Sequence, residues 1–196
     1  MGREKYQRRI EDLFKKSPVV SYSSIERIIN VRKKKNQYAK QLIKNLLDNG
    51  KIKRLTKGIY TSRNESSLAV YGFKPSYLGL QDALSLHNVW EQETIPVIIT
   101  TRKVRPGIRK VMGGNALVRR IANKYFFGFE YRMVGELYLP YSDIEKTFID
   151  MVYFKERINQ DILKILKKRI DIKRLKSYLR KYHKNIQNNV LRKLKL

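Results

Sequence analysis

Apolar residues recur at helical spacing three times in the first fifty positions. Tyr6, Ile10, Leu13 and Phe14 share one face of a helix predicted over 3–16. Ser17-Pro18 ends it, because the residue before a proline avoids the helical region. Val19 and Val20 read as a short extended stretch. Ser23 or Ser24 can cap a second helix, with Ile25, Ile28 and Ile29 inward and Glu26 in its first turn. A polar turn at 30–35 follows. Asn36 then stands as the N-cap of a third helix over 37–48, whose Ala39, Leu42, Ile43, Leu46 and Leu47 form an i, i+3, i+4, i+7, i+8 stripe. Asn49-Gly50 supplies a left-handed stop. Ile52 and Leu55, then Ile59 and Tyr60, predict two short strands around a tight turn at Lys57-Gly58. Three helices followed by a hairpin is the order of a winged helix-turn-helix.

Beyond Ser62–Ser67, which reads as a linker, the pattern becomes mixed. A helix is predicted from Pro75-Ser76, carrying Leu78, Leu80, Ala83, Leu84 and Leu86 and ending near His87-Asn88. Residues 95–101 (IPVIITT) read as a buried strand, and Pro106-Gly107 and Gly113-Gly114 as turns. Residues 116–121 and 125–133 look extended, being rich in aromatic and branched side chains. Residues 143–154 (DIEKTFIDMVYF) read as an amphipathic helix. The tail is helical with two stripes: Ile158, Ile162, Leu163, Leu166 and Ile170, then Leu175, Tyr178, Leu179, Tyr182, Ile186 and Val190. The predicted fold is α+β. A winged helix-turn-helix over 1–66 precedes a mixed α/β domain with a small sheet over 67–196, whose last part, 155–196, is a helical basic segment. The first stripe is expected to pack on the middle of the chain. The second can do the same, pair with another subunit, or meet DNA.

Charge sharpens this division. The chain of 196 residues carries 44 Lys and Arg against 17 Asp and Glu, net +27. Residues 1–66 hold 18 basic and 6 acidic side chains, residues 67–154 hold 11 and 8, and residues 155–196 hold 15 and 3. Such a field attracts polyanions: DNA, RNA or an anionic membrane surface. Lys-rich composition also occurs in ribosomal and thermophile proteins, so a basic RNA-binding protein is one alternative. There is no cysteine, which excludes disulfides, thiolate metal sites and cysteine nucleophiles. No apolar run approaches the ~20 residues that span a bilayer. The charged start MGREKYQRRIEDLF lacks a signal peptide's apolar core, and Tyr6 stands where a myristoylation signal has Ser or Thr. A cytoplasmic protein with no membrane partner is expected.

With its stripe buried, the third helix leaves Gln37, Tyr38, Lys40, Gln41 and Lys44 on an open face, with Asn36 at its start. Gln and Asn can make paired hydrogen bonds to adenine in the major groove. Lys33, Lys34, Lys35, Lys53, Arg54 and Lys57 surround that face and suit phosphates. The fold could instead serve protein contact with its lysines merely solvated, but the amide-bearing helix and basic turn together favour duplex DNA. No catalytic or metal set emerges. The acidic-x-Lys of Asp171-Ile172-Lys173 falls in a helical stretch, and Glu145, Lys146 and Asp150 share one helix, where a cap and surface pairs account for them. His87 and His183 lie far apart with no carboxylate cluster, and read as satisfied or solvent-facing. Neither an enzyme nor a cofactor is expected.

The strings SYLGLQDALSLHNVWEQETIPVIITT, KYFFGFE and SDIEKTFIDMVYF resemble the second domain of the AbiEi-like antitoxins. These are transcriptional regulators of AbiE-type phage-defence toxin–antitoxin operons. The matching positions are Tyr77-Leu78 through Ala83-Leu84, Pro96, Phe126-Phe127-Gly128, and Glu145-Lys146-Thr147 with Asp150. Gly79 departs from the family's common serine. With the predicted winged helix, the resemblance covers roughly residues 5–160. It implies repression of the protein's own operon at repeated DNA half-sites. It also implies a cognate nucleotidyltransferase toxin, neutralised without a stable complex being required. A winged-helix regulator without a toxin is the other alternative.

Overall fold

The computed structural model describes residues 2–29, 36–92 and 94–195. The chain is an α+β protein of two units: one runs to Gly72 and includes Lys110–Asn115, the other comprises Phe73–Arg109 and everything from Ala116 on.

The first unit contains α1 (Gly2–Lys16), β1 (Val20–Ser21), α2 (Tyr22–Ile29), α3 (Asn36–Asp48), β2 (Lys53–Thr56) and β3 (Ile59–Thr61). Its core unites Ile10, Phe14, Ile25, Ile29, Ala39, Leu42, Ile43, Leu46, Ile52 and Tyr60. The cap of α2 differs from expectation. Ser21 Oγ accepts from Ser24 N at 3.1 Å, so the helix starts two or three residues earlier, at Tyr22. Lys51 N donates to Leu46 O at 2.9 Å and Gly50 N to Leu47 O at 3.0 Å, the Schellman pairing that stops α3 and aims the chain into β2. The predicted hairpin gains a third strand, in the order β1-β3-β2, with Val20 opposite Tyr60 and Ser21 opposite Ile59. The position of β1 agrees with the short extended stretch read at Val19 and Val20; the pairing with β3 is what the sequence did not indicate. Residues 66–73, partly assigned to a linker, form a 3-10 segment with Leu68, Ala69 and Val70 buried.

The rest of the chain holds β4 (Ser76–Leu78), α4 (Leu80–Leu86), β5 (Val97–Thr100), β6 (Gly107–Val111), β7 (Gly114–Arg120), β8 (Phe129–Val134), β9 (Leu137–Ser142), α5 (Ile144–Tyr153), α6 (Gln160–Arg169), α7 (Ile172–Leu179) and α8 (Lys184–Leu194), all in the second unit except the end of β6 and the start of β7. The six strands form one mixed sheet in the order β6-β7-β5-β4-β9-β8. It is parallel at β4–β9 and β5–β7 and antiparallel at β4–β5 and β8–β9. Three sequence expectations change here. The helix predicted from Pro75-Ser76 begins only at Leu80, because Ser76–Leu78 is a central strand buried on both sides. Strands β6 and β9 were missed, and β8 begins at Phe129 rather than Tyr125, which belongs to a 3-10 turn over Asn123–Tyr125. Gly79 is explained by β5: a Cβ there would lie 2.6 Å from Ile99 Cδ1, and Ile99 is itself fully buried.

The largest correction concerns α5. It is not amphipathic: every residue from Glu145 to Val152 is buried. The cap is Asp143, whose side chain accepts from Lys146 N at 2.7 Å. Lys146 and Asp150 form an ion pair with no exposed surface, rather than a surface pair. Lys146 Nζ also donates to Tyr77 Oη at 2.9 Å, and Tyr77 Oη donates to Asp150 at 2.7 Å. The rings of Tyr77, Phe127 and Tyr182 stand 5.3 to 5.9 Å from the ammonium. Burial pushes Lys146 down and Asp150 and Tyr77 up, and the Lys146–Asp150 pairing opposes the shift of both partners. Gly128 makes this enclosure possible. Its φ is +70°, and a Cβ would meet Lys146 Cβ at 2.9 Å and Tyr178 Cε2 at 3.0 Å.

Acidic residues at the start of α5 also dock α7. Tyr178 donates to Asp143 at 2.7 Å, and Asp171 N donates to Glu145 at 2.8 Å. Asp171 caps α7 by accepting from Lys173 N and Arg174 N, so the acidic-x-Lys motif is a helix cap. Of the three roles open to the tail's second stripe, its apolar side takes the first. Leu175, Leu179, Tyr182, Val190 and Leu194 join Ile162, Leu166 and Ile170 in the core built on Tyr77, Phe148 and Ile149. His87 Nε2 bonds Ser142 O at 2.8 Å, and His183 precedes α8 with its Nε2 3.1 Å from Lys124 Nζ.

Replacing Lys146 by Met leaves Asp150 buried with Tyr77 as its remaining partner, and should cost ~3–5 kcal/mol in urea unfolding. K146M/D150L should recover most of that loss. A small cost for K146M alone would show that the pair does not hold the unit together.

A second expectation is pH-dependent. Asp82 of α4 accepts from Val97 N at 3.2 Å and from Tyr141 Oη at 3.3 Å, and burial pushes its carboxyl from the ordinary 3.8 up to about 7. Its protonated form is therefore favoured by folding. That contribution is complete below the ordinary carboxylate range and is lost as pH rises towards 7. Asp82→Asn should flatten the fall in stability between mildly acidic and neutral pH, measured as urea midpoints. A parallel pH profile in variant and parent would contradict this.

Candidate nucleic-acid interface

The face of α3 turned away from the first unit's core is polar without interruption. Gln37, Lys40, Gln41, Lys44 and Asn45 are exposed between the buried positions Ala39, Leu42, Ile43 and Leu46. Gln41 Nε2 donates to Asn45 Oδ1 at 2.9 Å, which aligns two amides one turn apart on that face. Asn45 was absent from the sequence reading, although its position four residues after Gln41 was a usable signal. Tyr38 stands somewhat apart. It is half-buried, with its ring edge-on to Tyr6 of α1 at 6.3 Å between centroids.

Strand β2 and the following turn bring their cations to the same helix unevenly. Arg54 is exposed, its guanidinium 6.0 Å from the centroid of buried Tyr60. With Lys40, Lys44, Asp48, Tyr22 and Tyr60 it lines an open cleft of about 310 Å³. Two helix lysines and one strand arginine thus surround one depression, a cationic arrangement suited to an anionic oxygen. Lys53 is half-buried and Lys57 is exposed, and neither lines that cleft. Lys33, Lys34 and Lys35 lie outside the described residues, as does the side chain of Asn36.

Positioning follows from two devices. Ser21 is at once the last residue of β1 and the cap of α2, so the sheet and the helix before α3 are joined without a free loop. Tyr22 N donates to Gly58 O at 2.7 Å, which ties the tip of the hairpin to the same point. The β2–β3 pairing shifts register between Arg54 and Thr56, a bulge that strengthens the local twist next to Arg54.

No group of three or more potential metal-ligating residues occurs among the described residues, and no helix among them is long and apolar enough to cross a membrane. No protein-family model matches the chain, and no curated protein does. The fold does have a solved counterpart. The chain is similar to the crystal structure of the RV2827C protein from Mycobacterium tuberculosis, with a TM-score of 0.64 at 13% identity, over 97% of this chain and 76% of that one. At that identity the likeness speaks for the α+β fold alone.

If Ser21 is the cap that joins sheet and helix, Ser21→Ala should cost ~1 kcal/mol of stability. Ser23→Ala, at an exposed position that does not bond the helix backbone, should stay within about 0.5 kcal/mol. Equal effects in chemical denaturation would remove Ser21 from this role.

Proposed function

We propose that this protein is a sequence-specific duplex-DNA-binding transcriptional repressor whose first unit is a winged helix-turn-helix. In this reading α3 is the recognition helix and β2–β3 the wing. The observation that carries it is the α3 face: Gln37, Gln41 and Asn45 amides in line, flanked by Lys40 and Lys44, with Arg54 on the same cleft. Amides of this kind read adenine edges, while the cations hold phosphates and set the register. The net charge of +27 supplies the long-range attraction.

Within that reading the protein is a non-enzymatic antitoxin of an AbiE-type operon, paired in function with a nucleotidyltransferase toxin. Support comes from the ordered motifs of residues 77–150. Several of them form one knot: Tyr77, Phe127-Gly128, Lys146 and Asp150 meet around the buried ammonium. Arrangement in the interior gives these residues a structural role, with no substrate access. Of the acidic residues weighed as a catalytic set, Glu145 bonds the start of α7, Asp171 caps that helix, and Asp150 pairs with Lys146.

The test is binding to the DNA upstream of the protein's own gene. The parent should prefer that duplex over unrelated DNA of equal length. Q37A/Q41A should lose the preference and keep the salt-dependent, sequence-independent component. Equal loss on every sequence would contradict base reading by α3, and absence of any preference in the parent would contradict the repressor reading. Toxicity of a nucleotidyltransferase encoded beside this gene, relieved by this chain in trans, tests the antitoxin part separately.

A further inference from the structure

Strand β8 ends the six-stranded sheet, with β9 as its neighbour on one side. Glu130, Tyr131, Arg132 and Met133 are all exposed, so no layer among the described residues covers this edge. Alternation sends Tyr131 and Met133 to one face and Glu130 and Arg132 to the other. The register sets Met133 opposite Tyr138 of β9, so three large side chains, 57%, 56% and 60% exposed, form a continuous apolar patch on the hairpin.

Charge indicates what this surface can meet. Residues 129–142 contain Glu130, Glu136 and Arg132, net −1, on a chain of net +27. A polyanion gains nothing here. Two copies of the chain, which repel through their cationic faces, meet least resistance here. The strand is also self-complementary. Glu130 and Arg132 flank Tyr131 and already pair with each other within the chain. In an antiparallel pairing about a twofold axis at Tyr131, each Glu130 faces Arg132 of the second copy, and each Phe129 faces Met133 of the second copy.

We propose that two copies of this chain associate edge to edge through β8, antiparallel and centred on Tyr131, with the patch of Tyr131, Met133 and Tyr138 forming the apolar side of the interface. The result is a twofold dimer with a continuous sheet. It is independent of the DNA-binding reading, because it rests on β8, its apolar patch and the charge of the chain, and on no residue of α3.

The full chain has no cysteine, so single cysteines report the register directly. Across an antiparallel pair, Cα atoms on the axis lie ~4.5–5.5 Å apart, within reach of a disulfide. Residues two positions from the axis on both strands are separated by ~13 Å. Mild oxidation should therefore turn Y131C into a covalent dimer and leave M133C unlinked. In light scattering the parent should have twice the 23.4 kDa chain mass. Glu130→Arg sets like charges opposite each other and should return a monomer, and E130R/R132E should restore the dimer. Circular dichroism checks that each variant folds, and where a charge variant does not, the cysteine pair decides alone. A monomeric parent, equal cross-linking at 131 and 133, or a dimer indifferent to E130R would overturn the proposal.

Discussion

A single ammonium group organises the second unit. Lys146 lies on a helix with no exposed side, and its charge is answered by Asp150, by the Tyr77 hydroxyl and by the faces of three rings. An ion pair withdrawn from water adds little over apolar side chains of equal volume, because desolvation offsets the attraction. It does make any packing that separates the partners costly. Strand β4, helix α5, the Phe127-Gly128 turn and the α7–α8 junction each supply one wall. None of them can shift without exposing or stranding the charge. The carboxylates around it extend the same logic outward, since Asp143 and Glu145 bond α7 directly.

This centre was the least legible part of the sequence. DIEKTFIDMVYF has charged residues at positions 143, 145, 146 and 150, and helical periodicity reads them as a wet face. The partners that keep them dry, Tyr77 and Tyr178, are 69 and 35 residues away from the groups they bond, and no local pattern announces that. Strand Ser76–Leu78 failed to show for a related reason. Buried on both sides, it lacks alternation, and its apolar residues run straight into those of the helix that follows, Leu80, Ala83 and Leu84.

The first unit was far more readable, because its elements are local. Each helix stripe, the Asn49-Gly50 stop and the Lys57-Gly58 turn depends on residues within a few positions. What escaped there was again non-local: Ser21 works as a cap because β1 pairs with β3 some forty residues later. The α3 face shows the same balance. Which of its residues lie outside followed from the stripe, whereas the gathering of Lys40, Lys44 and Arg54 around one cleft required the hairpin's twist.

The placement of α8 has a consequence for synthesis. Val190 and Leu194 belong to the same core as Tyr77 and Ile99, so that core has no complete form until Leu194 has left the ribosome. The residues of the first unit's core all lie between Ile10 and Tyr60 and emerge much earlier. A nascent chain therefore passes through a stage in which its amino-terminal core can already consolidate while α5, with its lysine and aspartate, still waits for the helices that will seal it.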